Sequence, residues 1–128
     1  MKAALLLPLA FTAGLSHACD GPSPDSPEVL YKKAAAVAAV EIRSAVVSNA
    51  GAGLIDGEAT VTEVFKGSPS HAVQVRWYGP TTDCWLPVNV GARYLVFVGA
   101  QEERIWLAPP MPLSDVPTSL LNGWRHVR

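Results

Sequence analysis

Hydrophobic positions recur at every second residue along much of this chain, and this is the period of a half-buried β-strand. The alternation is most regular at residues 73–78, where Val75 and Trp77 share one face and Arg76 lies on the other. It slips at Glu63, which predicts a β-bulge there. Residues 93–98 are almost continuously apolar, as in a strand that is covered on both faces. The pattern predicts strands at residues 40–46, 59–65, 73–78, 93–98 and 105–107.

One helix is predicted before the first strand and another after the last. Ser26 has the hydroxyl of an N-cap, with a proline and an acid directly after it, and the helix that it starts is predicted to end near Ala35. Ser114 or Asp115 is predicted to cap the start of the C-terminal helix. Its apolar positions are Leu120, Leu121 and Trp124.

Glycine and proline mark the connections between these elements. Residues 49–53, with Asp56 and Gly57 after them, are predicted to form a hairpin connection between the first two strands. Residues 79–91 make a long connection that contains Cys84. Residues 108–112 contain three prolines and are predicted to be extended, irregular chain.

Composition agrees with one compact domain. Of the 128 residues, 49% are hydrophobic and 16% are charged, which excludes a disordered tail or a collagen. Five short strands with a short N-terminal helix and a C-terminal helix favour a mainly β fold, a five-stranded Greek-key barrel of the oligonucleotide/oligosaccharide-binding (OB) type. An immunoglobulin-like sandwich needs about seven strands. The net charge of −1 gives no indication of nucleic-acid binding.

Residues 1–18 have the pattern of a signal peptide. Lys2 supplies the positive start, an apolar run follows, and small residues at Ser16 and Ala18 mark cleavage after Ala18. The apolar run is too short to cross a hydrocarbon core of about 30 Å as a helix, so no transmembrane segment is predicted. The chain is therefore predicted to be secreted or periplasmic, with its folded domain at residues 19–128.

The two cysteines, Cys19 and Cys84, both remain after cleavage. An exported chain enters an oxidising compartment, and two cysteines allow a single connectivity, so a Cys19–Cys84 disulfide is predicted. The alternative is a lipid anchor on Cys19, which would be the first residue of a lipoprotein. The aliphatic residue that usually lies three positions before a lipidated cysteine is replaced here by Ser16.

Several short motifs, taken in order, resemble the netrin-like domain, the inhibitory-domain fold of the tissue inhibitors of metalloproteinases. A leading cysteine after a signal peptide is followed by a Val-Phe-Lys-Gly turn at residues 64–67, by Asp83 and Cys84, and by a Val-Gly-Ala-Arg-Tyr-Leu-Val-Phe strand entry at residues 90–97. The resemblance covers residues 19–98. It implies an OB-type barrel whose N-terminal segment is linked by Cys19 to Cys84 in the connection after the third strand.

The resemblance also implies a partner, a zinc metalloprotease. In that family the free amine and the carbonyl of the first cysteine chelate the catalytic zinc of the protease, and the residue after it enters the specificity pocket. These roles would fall on Cys19 and Asp20, which are the candidate protease-binding residues. The α-amine has a substantial neutral fraction near pH 7, as such a ligand requires.

Aromatic side chains give a second set of candidates. Trp77, Tyr78 and Trp85 are candidates for stacking against a ligand, as aromatic rings do on barrels of this type. The structural alternative buries Trp77 and Trp106 in the core and packs Trp85 over the disulfide. The basic residues Arg125, His126 and Arg128 are predicted to form a solvated chain end.

The sequence gives little indication of catalysis. Cys84, His71 and Asp83 have the residue types of a thiol nucleophile, a base and an orienting acid, but only their types support that role. The histidines have no metal-ligand spacing, and neither a metal nor another cofactor is predicted. The leading hypothesis is an exported, non-enzymatic binding domain with an unknown ligand. The alternatives are a metalloprotease inhibitor acting through Cys19 and a lipid-anchored envelope protein with a structural role.

Overall fold

A computed structural model describes residues 25–83, 85–101 and 104–127 of the chain. Within these ranges the chain forms two α-helices, five strands and a short 3-10 helix at Leu113–Asp115. The helices are α1 (Pro27–Lys33) and α2 (Thr118–Val127), and the strands are β1 (Ala36–Val47), β2 (Leu54–Lys66), β3 (Ala72–Tyr78), β4 (Arg93–Val98) and β5 (Ile105–Trp106). The mainly β fold with a helix at each end is therefore confirmed.

The five strands form one mixed sheet in the order β4-β1-β2-β3-β5. The pairs β1–β2, β1–β4 and β2–β3 are antiparallel, whereas β3 and β5 are parallel. The described strands leave the sheet open between β4 and β5. The outer edge of β4 is partly covered by the irregular chain after β5, since the Leu95 amide donates to the Met111 carbonyl at 2.9 Å. This contact protects an edge strand from pairing with other chains.

Helix α1 begins as the sequence predicts. The Ser26 hydroxyl accepts a hydrogen bond from the Val29 amide at 3.4 Å, and the proline lies in the first turn. The helix ends at Lys33, near the expected position, and β1 follows after two residues. Strand β1 thus begins at Ala36, four residues before the predicted start at Val40. The alternating pattern misses this part because its residues are buried on both faces of the sheet.

Two hydrophobic cores explain that burial. One core lies on one face of the sheet, which we call the inner face, and contains residues from all five strands, including Ala38, Ile42, Ala59, Val75, Trp77, Tyr94 and Ile105. The other lies on the outer face beneath the helices and contains Val37, Ala39, Phe65, Leu95, Val116, Leu121 and Trp124. Alternate residues of β1 supply the two cores, so the first half of β1 is apolar at every position.

The predicted turn at Asp56 and Gly57 is wrong, since both residues lie within β2. The hairpin connection occupies residues 48–53, where Gly53 has a φ of 80°. Gly57 is a glycine for a packing reason: a Cβ atom there would lie 2.5 Å from the Ser44 carbonyl oxygen and 2.9 Å from the Trp77 ring. The bulge is confirmed in its expected place, because the β1–β2 register skips Thr62, directly beside Glu63.

Helix α2 begins at Thr118, so neither Ser114 nor Asp115 is its first residue. Pro117 explains the difference. A residue before proline is pushed out of the helical region, and Val116 is extended, with φ −88° and ψ 129°. The Leu113–Asp115 turn therefore ends there, and the Pro117 carbonyl accepts the amides of Leu120 and Leu121 instead.

Helix α2 is held to the sheet by its aromatic and charged side chains. The Trp124 ring stacks on Tyr31 of α1 at 4.6 Å and meets Phe65 edge-on at 5.8 Å. The Arg125 guanidinium binds both carboxylate oxygens of Glu63, at 2.6 and 2.8 Å. Arg125 and His126 are exposed, as predicted for a solvated end, but the Arg125 side chain also pairs with the sheet.

The long connection between β3 and β4 is irregular, as expected, but it is fixed at both ends. The Gly79 amide donates to the Gly53 carbonyl at 2.6 Å, and the Gly91 amide donates to the Ile42 carbonyl at 2.8 Å. Val88 packs against the inner core between these points. None of the described helices has the length and apolarity that crossing a bilayer requires.

Candidate functional site

The outer face of β2, β3 and β5 carries a cluster of polar and aromatic side chains, and we name it the Trp106 face. It consists of Asp56, Arg76, Tyr78, Arg104 and Trp106. The register explains the cluster, since Asp56 is the cross-strand partner of Arg76 and Arg76 is the partner of Trp106. Tyr78 lies two residues after Arg76 in β3 and therefore shares its face. Arg104, in the bend before β5, joins the cluster through its contact with Asp56.

An ion-pair network lies at the centre of the Trp106 face. The Arg76 Nε donates to Asp56 Oδ1 at 2.6 Å and its Nη2 donates to Oδ2 at 3.2 Å, so the pair is two-pronged. Arg104 Nη1 approaches the same Oδ1 at 3.4 Å. The side chains of Arg76 and Asp56 are only 19% and 20% exposed. Partial burial and two parallel bonds make this pair stronger than an ordinary surface ion pair.

This network keeps the Asp56 carboxylate ionised. Its hydrogen bonds to Arg76 are the main reason that the pKa of Asp56 is lowered, with smaller contributions from Ser48 and from the charge of Arg104. Partial burial opposes the change but does not reverse it. Two guanidinium groups therefore face one carboxylate, and the network has one positive charge in excess.

The aromatic part of the Trp106 face lies against the ion pair. The ring centroids of Tyr78 and Trp106 are 5.4 Å apart at a tilt of 44°. The Arg76 guanidinium carbon is 5.8 Å from the centroid of the Trp106 ring, within the range of a cation–π contact. Trp106 is nevertheless 46% exposed. The indole is thus held from two sides while much of its surface is open to solvent.

The β1–β2 hairpin is tied to this network through Ser48, a buried polar residue at the end of β1. Its hydroxyl accepts the Ala50 amide at 3.0 Å and an Arg76 Nη2 hydrogen bond at 3.4 Å. The hairpin connection therefore lies beside the Trp106 face in a defined position. Arg104 places the β4–β5 connection at the same network.

The predicted stacking residues separate in the structure. Trp77 is 4% exposed and belongs to the inner core, so its ring is not presented to a ligand. Tyr78 is half-buried on the Trp106 face. Trp85 is 47% exposed in the β3–β4 connection and has no contact with another aromatic ring among the residues that the structure describes. Trp106, expected in the core, is instead exposed.

The remaining candidates lie outside the described residues or apart from each other. Cys19, Asp20 and Cys84 are not among the residues that the structure describes. The disulfide, the lipid anchor and the zinc-chelating terminus therefore stay predictions. His71 and Asp83 are both exposed and lie in different connections.

Sequence reasoning missed Asp56, Arg76 and Arg104 as members of one site. The sequence pattern predicts a hairpin connection at Asp56, and for Arg76 it predicts only the strand face opposite to Val75 and Trp77. A usable signal existed for Trp106, since Ile105 and Leu107 on either side of it are apolar and point inward. Alternation alone places Trp106 on the face of the strand opposite to Ile105 and Leu107. The pairing of Asp56 with Arg76 depends on the register, which the pattern does not specify.

The arrangement offers groups that can bind a ligand. Its guanidinium groups are fixed donors, and its indole is a flat apolar surface of the kind that dominates binding energy. No group of three His, Cys, Asp or Glu side chains in the described part of the chain is placed to hold a metal ion. A cleft between the starts of α1 and α2 is a weaker candidate for a binding site, because only one of its lining residues, Glu28, is charged. The lining consists of Pro27, Glu28, Pro117, Ser119 and Leu120.

Comparisons with known proteins do not assign the chain. Neither a family model nor a curated protein gives a significant match to this sequence. The netrin-like resemblance therefore remains a hypothesis that rests on the short motifs.

Proposed function

We propose that this chain is an exported, non-enzymatic binding domain of the netrin-like type, and that the Trp106 face is its ligand-binding surface. Export follows from the predicted signal peptide at residues 1–18. The binding role rests on one observation above all: an indole that is half exposed while Tyr78 and Arg76 fix its orientation. A rigid aromatic group loses little conformational entropy when a ligand stacks on it.

The strand order supports the barrel part of this proposal. In an OB-type barrel, strand 1 lies between strands 2 and 4, and strand 3 pairs in parallel with strand 5. The same neighbours occur here, including the parallel β3–β5 pair. Closure needs only that β4 meet β5. Cα atoms of these two strands already come within 8 Å of each other, and their inward residues share one core.

The position of the Trp106 face supports its role in binding. Barrels of the OB type bind ligands on the face of strands 2 and 3, between the 1–2 and 4–5 connections. The Trp106 face lies on β2, β3 and β5. Ser48 joins it to the β1–β2 connection, and Arg104 ends the β4–β5 connection.

A comparison of two single-residue variants tests the proposal. Trp106→Ala and Trp85→Ala remove indoles of nearly equal exposure, 46% and 47%, from different parts of the surface. The purified domain, residues 19–128, would be screened against an array of glycans, peptides and single-stranded oligonucleotides. We expect binding that Trp106→Ala reduces and Trp85→Ala leaves unchanged. A ligand that depends on Trp85 alone, or no ligand at all, would contradict the assignment of the Trp106 face.

The inhibitor hypothesis is a second proposal with its own structural support. An inhibitory N-terminus needs a firm anchor, and the connection that contains position 84 is fixed at both ends through Gly79 and Gly91. The mass of the mature protein tests the premise: a free amine with a two-hydrogen deficit supports the Cys19–Cys84 link, and a diacylglyceryl mass on Cys19 rejects it. Titration against zinc proteases then tests inhibition, and unchanged protease activity at micromolar concentrations would refute it.

A further inference from the structure

We propose that the ligand of the Trp106 face is a saccharide that carries a carboxylate. This inference rests on the proposed binding function and adds the chemical class of the ligand. Two features of the face carry it: a half-exposed indole and an arginine with donors to spare beside it.

The aromatic part favours a sugar ring. The C–H face of a pyranose is apolar and flat enough to stack on an indole, while the hydroxyls at its rim remain free to make hydrogen bonds. The Trp106 ring is fixed by Tyr78 and Arg76, and it lies on a strand rather than on a mobile loop. The bases of a nucleic-acid strand would also stack on this ring, so a thymidine oligonucleotide is included among the probes as a competing outcome.

The charge of the network favours an acidic group on that sugar. Both oxygens of Asp56 are bound by Arg76, so this guanidinium is largely committed to its partner. Arg104 makes a single longer approach to Asp56, at 3.4 Å, among the residues described. The remaining N–H groups of the planar Arg104 guanidinium can donate two parallel hydrogen bonds to a carboxylate. Arg104 lies in the bend directly before β5, and its contact with Asp56 places its guanidinium at the network that also holds Arg76 against the Trp106 ring.

Asp56 acts in this arrangement as a positioning residue. Its carboxylate holds Arg76 beneath the Trp106 ring and draws Arg104 toward the same spot. Because the Asp56 charge is already compensated by Arg76, the charge of Arg104 remains available to an incoming anion. A neutral sugar would stack on the indole but would leave this charge unused.

The test compares saccharides that differ only in the acidic group. The protein would be titrated with three acidic saccharides, each beside its carboxyl-reduced form: tetragalacturonate, a hyaluronan tetrasaccharide and the N-acetylglucosamine–N-acetylmuramate disaccharide. For at least one pair we expect the acidic member to bind about tenfold more tightly, the size expected for a charge-assisted hydrogen bond. Arg104→Gln should abolish this preference while binding of the neutral form persists, and Arg104→Lys should restore only part of it.

Controls separate this inference from the proposed function. Arg43→Gln removes a guanidinium that is paired with Glu41 elsewhere on the surface and should leave the preference intact. Equal binding of acidic and neutral members, lost in Trp106→Ala, would overturn the inference and leave the binding function standing. If the protein bound a thymidine oligonucleotide through Trp106 and bound no saccharide, the inference would likewise be overturned and the binding function would stand. Absence of binding to all of these probes would overturn the inference, and an array that also yields no ligand would overturn the function as well.

Discussion

Asp56 is the most shielded acidic residue among the ion pairs of the residues described, with 20% of its side chain exposed against 31% for Glu41 and Glu63. Its carboxylate is mostly shielded and receives two bonds from Arg76, whereas the Asp25–Lys33 pair has side chains that are 41% and 67% exposed. Exposed pairs contribute little to stability, because solvent screens them and ordering long side chains costs entropy. At the scale of single residues, Asp56 is therefore the group that links acid pH to the geometry of the Trp106 face.

Asp56→Asn should make the free energy of unfolding depend less steeply on pH at acid pH. The pKa of Asp56 is lowered in the folded state, so its ionisation stabilises the fold above the unfolded pKa of about 3.9. This stabilisation is lost as the pH falls through the lower, folded pKa. Urea unfolding at a series of pH values should show a loss below about pH 4 in the native protein that is smaller in Asp56→Asn. An equal loss in the native protein and in Asp56→Asn would contradict this role of Asp56. Asp25→Asn, at an exposed ion pair, is the matched control and should behave like the native protein.

Gly57 is a strand residue whose replacement the surrounding packing does not tolerate. Gly57→Ala puts a Cβ atom against the Ser44 backbone and the Trp77 ring, and overpacking of this kind costs about 1–3 kcal/mol. Gly123→Ala is the matched control, since a Cβ atom there meets nothing within 4 Å and alanine favours a helix interior by about 1 kcal/mol. Chemical denaturation should give opposite signs for the two variants. A neutral Gly57→Ala would mean that β1 and β2 are less closely packed than described.

At the scale of elements, regular alternation was sufficient where one face of a strand is buried. It predicts residues 73–78 almost at their observed bounds, whereas residues 93–98 are predicted from a continuous apolar run, and the Ser26 cap predicts the start of α1. The start of β1 was missed because burial on both faces removes the alternation. The start of α2 was missed because Pro117 acts on the conformation of Val116, which outweighs the capping side chains before it.

Helix α2 is expected to depend on one side chain for its attachment. Trp124 contacts Tyr31 of α1, Phe65 of β2 and Phe97 of β4, so it joins three elements. Trp124→Ala should cost about 3–5 kcal/mol of unfolding free energy, as for other large aromatic residues in cores. His126→Ala, an exposed change on the same helix, should be nearly neutral. If urea unfolding gave a loss in Trp124→Ala no larger than in His126→Ala, packing of Trp124 would not be what holds α2.

At the scale of the whole molecule, the strand order and the candidate site have the same origin. The sequence predicted the number of strands and the helices at both ends, but a hydrophobic pattern does not state which strands pair or in which register. The Trp106 face exists only because Asp56, Arg76 and Trp106 become neighbours across three strands. Its members come from parts of the chain up to 50 positions apart in number, from 56 to 106, and no local motif joins them.

The most direct test of the account is a map of ligand contacts by amide chemical shifts. The domain at residues 19–128 would be labelled with nitrogen-15 and titrated with the tightest-binding saccharide from the matched pairs. We predict that the largest shifts fall on residues 54–58, 74–78 and 104–107, together with the indole N–H of Trp106. Shifts concentrated instead on Trp85 and its connection, or on α2, would contradict the claim that the outer face of β2, β3 and β5 is the binding surface.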